Sequence, residues 1–249
     1  MAFMQCHCRS DILERDIEVN VILPRQRPAD GIRLLYLFHG YSGNHTNWVR
    51  LTSIERYAEQ KNLAVVMPDV ANSYYADMVH GPAYFTFLAE ELPAIIKDIF
   101  QLDPLPQHQF VAGLSMGGYG AFKLALTYPD RYAKAASLSG ALDAVKIQAR
   151  FEADGRGALF HSIFADQPIT DSPNDLFHLA GILKAKRQHM PDLYLACGTE
   201  DFLYDDHRKF RDFLLEHQIK HVCEEGPGEH TWAFWDAYIE RVIDWLHQT

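Results

Sequence analysis

Two stretches near the start of the chain, residues 3–9 and 15–23, alternate between apolar and polar side chains. A period of two is typical of antiparallel strands. Later apolar runs are continuous, which indicates strands that are buried on both faces. These runs lie at 33–38, 64–68, 108–112, 133–138 and 192–197, and a shorter one lies near 221–224.

Segments with a helical pattern separate these apolar runs. They lie at 53–61, 84–100, 119–128, 206–218 and 232–247, and Pro93 is expected to kink the second of them. Strands that alternate with helices predict a mostly parallel central sheet with helices on both faces. The two early alternating strands would form an antiparallel edge of that sheet.

The stretch at about 143–190 breaks this alternation of strands and helices. It is polar and mixed in composition, and it separates two predicted strands. We interpret it as a small insertion that lies over the sheet. The whole chain, residues 1–249, is therefore expected to form a single α/β domain.

A glycine-rich stretch at 111–122, VAGLSMGGYGAF, contains the most informative motif of the chain. Residues 113–117 match the pattern G-x-S-x-G, which also occurs by chance in loops that need small residues. Here a predicted strand precedes the motif and a predicted helix follows it. This is the strand–turn–helix context of the nucleophile in the α/β-hydrolase fold. The sequence therefore predicts an α/β-hydrolase fold with Ser115 as its nucleophile.

A nucleophilic serine needs a base, and the base needs a carboxylate that orients it. In this fold the acid and the histidine follow the serine in that order, in loops after later strands. Asp201 comes just after the predicted strand at 192–197, and Glu200, Asp205 and Asp206 compete with it. Asp205 and Asp206 stand at a predicted helix start, where acids stabilise the helix dipole. Asp201 is the predicted acid, with helix capping as its alternative role.

Five histidines follow Asp201 along the chain: His207, His217, His221, His230 and His247. Two of them fall within a predicted helix, one opens a predicted strand, and one is near the end of the chain. His230 alone lies in a glycine-rich loop between a strand and a helix. That placement predicts His230 as the general base.

The oxyanion of an acyl-transfer intermediate requires backbone N–H donors. One donor is expected from Met116, which follows the nucleophile at a helix start. The other is expected from Tyr41, because His39-Gly40-Tyr41 follows an early strand and Gly40 lets the backbone turn. The ring of His39 is predicted to pack beneath this loop.

Aromatic residues in predicted loops are the candidates for substrate contacts. These candidates are Trp48, Tyr74 and Tyr75. Aromatic side chains in loops serve packing as often as binding, so a structural role is the alternative for each.

Composition limits the partners of this chain. Its net charge is −10 and its pI is about 5.7, which disfavours nucleic acids and anionic membranes. No apolar run reaches the ~18 residues that span a bilayer, and the first residues do not resemble a signal peptide. We expect a cytoplasmic protein that acts on a small molecule; a homo-oligomer stays open.

The four cysteines are Cys6, Cys8, Cys197 and Cys223, and three of them lie in strand-like runs. We interpret them as reduced thiols of a cytoplasmic protein. The sequence C-H-C at 6–8 is better explained by alternation along a strand than by a metal site. Neither a metal nor another cofactor is expected.

Five segments together resemble a known protein family: HGYSGNHTNW, GLSMGGYGAF, SLSGALD, CGTEDFLY and GEHTWAFW. They are similar to the esterase D group of α/β hydrolases, and within it most of all to the bacterial tributyrin esterases. The resemblance extends from about residue 2 to 247. It implies a cytoplasmic carboxylesterase that hydrolyses short acyl esters without a cofactor, with Ser115, Asp201 and His230 as nucleophile, acid and base.

S-formylglutathione hydrolases belong to the same group, and feruloyl esterases share its fold. The former usually carry an oxyanion loop of the type Ser-Gly-Leu-Thr-Cys and a histidine after the paired glycines. This chain has HGYSG at 39–43 and Tyr119-Gly120 at those places, which weakens that alternative. Secreted mycolyl transferases also share the fold but would need an export signal.

Other classes of protein fit the sequence less well. A binding protein on an inherited hydrolase fold predicts a broken triad, whereas all three positions are intact. A lipase needs a mobile lid with a large apolar face, and the 143–190 stretch contains the polar sequences KIQARFEADGRG and KAKRQH. A peptidase stays open, because triad chemistry acts on both esters and amides. We therefore predict a carboxylesterase for short acyl chains, and the natural substrate is not determined by the sequence.

Overall fold

An eight-stranded sheet forms the centre of the protein in a computed structural model that describes residues 1–25 and 31–248. The strands are β1 Ala2–Ser10, β2 Arg15–Leu23, β3 Arg33–Phe38, β4 Leu63–Pro68, β5 Gln109–Leu114, β6 Lys134–Leu138, β7 Asp192–Gly198 and β8 His221–Gly226. Their order across the sheet is β1-β2-β4-β3-β5-β6-β7-β8. Strand β2 pairs antiparallel with β1 and β4, and all other pairs are parallel, which confirms the predicted sheet.

The helices follow the strands in alternation. They are α1 Asn47–Leu51, α2 Ile54–Gln60, α3 Tyr84–Thr86, α4 Leu92–Phe100, α5 Met116–Thr127, α6 Ala144–Ala153, α7 Gly157–Phe164, α8 Leu176–Ala185, α9 Tyr204–Glu216 and α10 Trp232–Leu246. A π-helical segment, Phe87–Glu91, joins α3 to α4. The helix predicted at 119–128 begins three residues earlier, so it starts directly after Ser115. No described helix is long and apolar enough to cross a membrane.

Each central strand is buried on both faces, which explains its continuous apolar sequence. In β3, Leu34 and Tyr36 pack into one hydrophobic cluster, whereas Leu35 and Leu37 pack into another on the opposite face. Helices α1, α2 and α10 cover the face of Leu35, and the remaining helices cover the face of Leu34. Helices on both faces of the sheet were therefore predicted correctly.

The helix predicted at 84–100 is divided into three segments rather than only kinked at Pro93. The π-helical segment Phe87–Glu91 ends two residues before this proline, which lies in the first turn of α4. Proline has no N–H, so the carbonyl of Ala89, four residues earlier, lacks its usual helical donor. The guanidinium of Arg131 donates to that carbonyl instead.

The insertion at about 143–190 contains three short helices, α6 to α8, that the sequence analysis did not predict. Asp143 caps the start of α6, because its side chain accepts a hydrogen bond from the backbone N–H of Lys146 at 3.1 Å. Its apolar residues Ile147 and Phe151 are buried in the same cluster as the sheet residues. The sequence of the segment is mostly polar because a short amphipathic helix buries one face and exposes its polar face to solvent.

Candidate active site

Ser115 lies at the turn between β5 and α5, where the G-x-S-x-G motif predicts it. Its backbone angles are φ 53° and ψ −118°, which a residue other than glycine rarely adopts. Backbone hydrogen bonds stabilise this turn: Ser115 N–H donates to Leu138 at 2.9 Å, and its carbonyl accepts from Ala141 at 3.0 Å. The strained conformation is therefore imposed by the neighbouring strand β6 and the loop that follows it.

Two glycines of the motif allow strand, turn and helix to approach one another. A Cβ atom on Gly117 would lie 2.5 Å from the carbonyl oxygen of Phe38 in β3. A Cβ atom on Gly113 would overlap the carbonyl of Gly117. Both positions therefore require glycine for steric reasons, as the sequence indicated.

Asp201 and His230 meet although 28 residues separate them in the chain. Asp201 follows β7 and His230 follows β8, and these two parallel strands are neighbours in the sheet. The Nδ1 atom of His230 lies 2.8 Å from Oδ2 and 3.0 Å from Oδ1 of Asp201. A carboxylate only accepts, so Nδ1 carries the proton, and Nε2 is left as the basic atom.

Backbone hydrogen bonds join the two loops that carry Asp201 and His230. Thr199 N–H donates to the carbonyl of Gly226 at 2.9 Å, and Glu200 N–H donates to Gly228 at 3.1 Å. The side chain of Glu200 accepts from the N–H of Gly228 at 2.6 Å. Glu200, a competing candidate for the acid, thus has a structural function in positioning the His230 loop.

The other candidate acids and histidines lie elsewhere. Asp205 is exposed in the first turn of α9, and Asp206 is buried between Arg150 and Lys146. The rings of three histidines hydrogen-bond to backbone carbonyls within their own segments: His217, His221 and His247. His207 faces Cys223 and Glu225. Among the histidines that the structure describes, only His230 forms a hydrogen bond to Asp201.

The Asp201 carboxylate is kept ionised by its neighbours. Burial acts to raise its pKa, but the hydrogen bond and charge of His230, the N–H of Leu203 and the hydroxyl of Ser139 together lower that pKa below its usual value. Trp235 Nε1 donates to Ser139 Oγ at 3.1 Å, which leaves the Ser139 hydroxyl hydrogen for Asp201. An ionised carboxylate here stabilises a positively charged imidazole.

Ser139 is a residue that the sequence analysis did not assign. It is fully buried after β6 with φ 47°, and it belongs to the SLSGALD segment of the resemblance. No spacing rule in the sequence connects this serine to Asp201. Only the pairing of β6 with β7 brings the two side chains together.

The loop after β3 passes directly over the nucleophile. A Cβ atom on Gly40 would lie 3.4 Å from Cβ of Ser115. The carbonyl of Gly40 accepts from Gly43 N–H at 3.0 Å and lies 2.8 Å from Nδ1 of His39. In a trans peptide the C=O and the next N–H point in opposite directions, so the Tyr41 N–H points away from these two donors.

His39 supports this loop from within the protein. Its side chain is almost fully buried, and its Nε2 atom accepts the N–H of Val70 at 3.2 Å. The proton is then on Nδ1, which donates it to the Gly40 carbonyl. Burial lowers the pKa of this ring, which keeps it neutral. These contacts agree with the expected packing of His39 beneath the loop.

A cavity of about 580 Å³ opens at Ser115 and His230. Tyr41, Tyr74 and Leu114 form part of its lining. Helix α6 and the loop after it contribute both apolar and charged side chains: Ile147, Phe151, Arg150, Asp154 and Arg156. Aromatic residues near His230 complete it: Phe202, Trp232 and Trp235. The cavity thus combines an apolar interior surface with several charged groups.

Of the three aromatic candidates for substrate contacts, only Tyr74 lines this cavity. Trp48 is buried and donates from Nε1 to the carbonyl of Phe38 at 3.0 Å. Tyr75 is buried, and its hydroxyl donates to the carbonyl of His39 at 2.8 Å. The assignment of Trp48 and Tyr75 to the substrate pocket is therefore corrected: their polar atoms hydrogen-bond to the backbone beneath the Gly40 loop.

Comparisons with known proteins agree with this architecture. The sequence model of the family described as “Putative esterase” matches residues 10–244. An acetyl esterase of Caldicellulosiruptor saccharolyticus is 32% identical over 262 residues, which cover 99% of this chain and 98% of that protein.

Two solved structures from Staphylococcus aureus are also similar. The substrate-bound fluorophosphonate-binding serine hydrolase FphF is 34% identical with a TM-score of 0.92, over 100% of this chain and 99% of that chain. The apoenzyme of the S-formylglutathione hydrolase FrmB is 34% identical with a TM-score of 0.87, over 98% of each chain. The fold is that of the α/β hydrolases, as predicted.

Proposed function

Since the chain belongs to the Esterase family and is a serine carboxylesterase, we propose that it hydrolyses short-chain acyl esters with Ser115, His230 and Asp201 as its catalytic triad. The observation that carries this proposal is the 2.8 Å contact between His230 Nδ1 and Asp201 Oδ2, beside the cavity that Ser115 lines. The order of the three residues along the chain also fits the fold.

In the proposed reaction, Ser115 Oγ attacks the ester carbonyl while His230 Nε2 accepts its proton. Asp201 orients the imidazole and stabilises its positive charge. The tetrahedral intermediate collapses to an acyl-enzyme, and His230 returns the proton to the departing alcohol. Water then attacks the acyl-enzyme with the same base, which releases the acid and regenerates Ser115.

Two backbone N–H groups are proposed to bind the oxyanion. Met116 is the first residue of α5, so its N–H has no partner within the helix and lies at the positive end of the helix dipole. The Tyr41 N–H is oriented by the fixed carbonyl of Gly40. Donors that are fixed before the reaction stabilise the developing charge without reorganisation.

The cavity supports a preference for short acyl chains. Its volume of about 580 Å³ is within the range of small-molecule sites. Arg150, Asp154 and Arg156 interrupt the apolar surface around Phe151, so a long alkyl tail would meet charged groups. The similarity to an acetyl esterase supports the same class of substrate.

A thioester is the second candidate substrate, because one similar structure is an S-formylglutathione hydrolase. Thioesters and esters react with a serine nucleophile through the same acyl-enzyme. The oxyanion loop of this chain, HGYSG at 39–43, departs from the pattern usual in those hydrolases, which favours the oxygen ester.

The deciding experiment is a series of p-nitrophenyl esters from acetyl to dodecanoyl, each below its micelle concentration, beside S-formylglutathione and methyl ferulate. We expect kcat/KM to be highest for acetyl to butyryl esters and to fall beyond hexanoyl. A maximum at decanoyl or dodecanoyl would contradict the short-chain proposal. A far higher kcat/KM for S-formylglutathione would identify the thioester as the preferred substrate. A far higher kcat/KM for methyl ferulate would identify a feruloyl ester as the preferred substrate.

A further inference from the structure

A second cluster of reactive side chains lies where α9 packs near the last strand of the sheet. It consists of His207 from α9 and of Cys223 and Glu225 from β8. Residues two apart in a strand point to the same face, so the thiol and the carboxylate project together. Strand β8 is at the edge of the sheet, and Glu225 gives the cluster access to solvent.

Two of the distances between these side chains match those between ligands of one metal ion. His207 Nε2 lies 3.4 Å from Cys223 Sγ and 3.3 Å from Glu225 Oε1, and all three atoms lie within 4.8 Å of one another. Tetrahedral zinc, with Zn–N and Zn–O of ~2.0–2.1 Å and Zn–S of ~2.3 Å, separates its ligand atoms by roughly 3.3–3.6 Å. An ion could therefore bind with little movement of these side chains.

The chemistry of the three donors selects a class of ion. A thiolate, an imidazole and a carboxylate suit zinc and similar borderline-soft cations, whereas magnesium and calcium prefer oxygen donors only. Three protein ligands leave a fourth position for water. A cysteine binds a metal ion as the thiolate, so binding would release the thiol proton to solvent.

Neighbouring side chains orient the carboxylate. Tyr204 donates its hydroxyl to Glu225 Oε2 at 3.3 Å, and Arg211 donates to Glu225 Oε1 at 2.6 Å. The imidazole is itself fixed, because His207 is almost fully buried; its Nδ1 atom has no hydrogen-bond partner among the described residues. The positive charge of Arg211 opposes a cation at this place and weakens its binding.

We propose that His207, Cys223 and Glu225 form a binding site for a zinc-class divalent cation, separate from the proposed triad, in which the ion connects α9 to β8. The sequence analysis considered only the C-H-C at 6–8 and expected no metal. The three residues proposed here come from two elements and follow no ligand-spacing motif. The alternative is a purely structural cluster in which His207 Nε2–H donates to Glu225 and no ion binds.

The test is a titration of the full-length protein, first treated with EDTA, with Cd²⁺ as a spectroscopic substitute for Zn²⁺. The readouts are the ultraviolet charge-transfer absorption of a cadmium–thiolate bond and the release of one proton per chain. Cys223→Ser removes the thiolate ligand, and Cys8→Ser is the matched control on the opposite edge of the sheet. Arg211→Gln removes the opposing charge and keeps all three ligands.

We expect saturation at one ion per chain in the wild type and in Cys8→Ser, and loss of the absorption in Cys223→Ser. His207→Gln should weaken binding by at least about tenfold, as loss of a metal-site partner does. Arg211→Gln should bind more tightly, a result that adventitious binding to surface histidines does not explain. The proposal would be overturned if the absorption persisted in Cys223→Ser. It would also be overturned if neither the wild type nor Arg211→Gln showed saturable absorption. Ester hydrolysis by the EDTA-treated protein should stay at its full rate.

Discussion

The proposed triad and the α6–α8 insertion border the same cavity but are stabilised in different ways. The loops of Ser115, Asp201 and His230 are fixed by backbone hydrogen bonds to one another and to β6. In the insertion, here called the cap, α7 accepts two backbone hydrogen bonds, from the N–H groups of Val79 and His80, whereas side-chain ion pairs attach α6 to α9. Asp206 of α9 pairs with Lys146 at 2.8 Å and with Arg150 at 2.6 Å.

This difference suggests which property of the enzyme each region controls. The backbone contacts that hold the reacting groups in place involve no residue of the cap, so the chemical step should tolerate changes in the cap. The cap contributes Ile147 and Phe151 to the cavity through side chains alone. We therefore expect substitutions in the cap to change substrate range and stability, and substitutions in the triad to change the chemistry.

The largest effect is expected at the nucleophile. Ser115→Ala should lower kcat for p-nitrophenyl butyrate by roughly 10⁶, and His230→Ala by nearly as much, because the triad acts as a unit. Asp201→Asn should lower kcat by about 10⁴, since the wrong tautomer of His230 is then favoured. Ser42→Ala, another serine that lines the cavity, is the matched control and should retain activity.

Covalent labelling gives an independent measurement of the same assignment. An organophosphonate should modify one serine of the wild type, and mass spectrometry should locate the adduct on Ser115. An adduct on any other serine would show that the nucleophile has been misassigned, whatever the activity of the variants.

The next largest effect is expected where the cap is attached to α9. Asp206→Asn leaves Arg150 and Lys146 without their shared carboxylate, whose side chain is 0% exposed. The free energy of unfolding should fall by about 2 kcal/mol, as for lost hydrogen bonds to charged groups. Denaturant titration measures it, and the exposed neighbour Asp205→Asn is the control.

The structural effect of Asp206→Asn should be confined to the cap and should leave the triad unchanged. Organophosphonate labelling of Ser115 should proceed at a similar rate in folded Asp206→Asn and in the wild type. A large fall in the labelling rate of the folded variant would show that the cap and the triad are not independent.

A smaller effect is expected from reshaping the cavity. Phe151→Leu shortens a side chain that lines it, so longer acyl chains should be accepted. For each additional methylene that the cavity then buries, kcat/KM should rise by about fourfold, the equivalent of ~0.8 kcal/mol. Phe164→Leu in α7 is the matched control, because that residue is buried but does not line the cavity. The same shift in both variants would contradict a specific effect of Phe151.

A pH-dependent effect is expected from Lys123, which connects the two regions. Its Nζ donates to the carbonyl of Tyr75 at 2.9 Å and to Asn174 of the insertion at 2.7 Å. Burial lowers its pKa from 10.5 to about 7, although the charge of Asp77 acts in the opposite direction. Between these two values the unfolded chain binds more protons than the folded protein, so rising pH stabilises the fold.

Lys123→Met should abolish that contribution. The difference in unfolding free energy between wild type and variant should shift in favour of the wild type as the pH rises above 7, by at most ~1.4 kcal/mol per pH unit. Denaturant titrations at neutral and mildly alkaline pH measure this slope. A difference that is constant with pH would mean that Lys123 titrates normally in the folded protein.

Much of the fold could be predicted from local patterns. The sequence of a central strand such as β3 is a continuous apolar run because both of its faces are covered, and β1 alternates because one of its faces is exposed. Ser115, Asp201 and His230 could be selected because each lies just after a strand, and parallel strands end at one edge of the sheet. These are properties of short segments.

The cap and the supporting residues could not be predicted in this way. Helices α6 to α8 are short and amphipathic, so the polar residues on the exposed face of each helix resemble a loop sequence. The sequence places Trp48 and Tyr75 in predicted loops, where substrate-binding residues often lie, but Trp48 belongs to α1. The polar atoms of both bond to the backbone of Phe38 and His39. Nothing in the sequence near Tyr75 indicates that partner.

By itself, the sequence determined the order of the strands and of most helices outside the cap, the class of fold and the three candidate catalytic residues. These follow from hydrophobic periodicity and from turns that only certain residues allow, which are short-range effects. The tertiary structure alone decided that Ser139 supports Asp201, that Phe151 lines the cavity, and that His207 meets Cys223. Those contacts join separate elements, and which elements become neighbours depends on burial and strand pairing across the whole sheet.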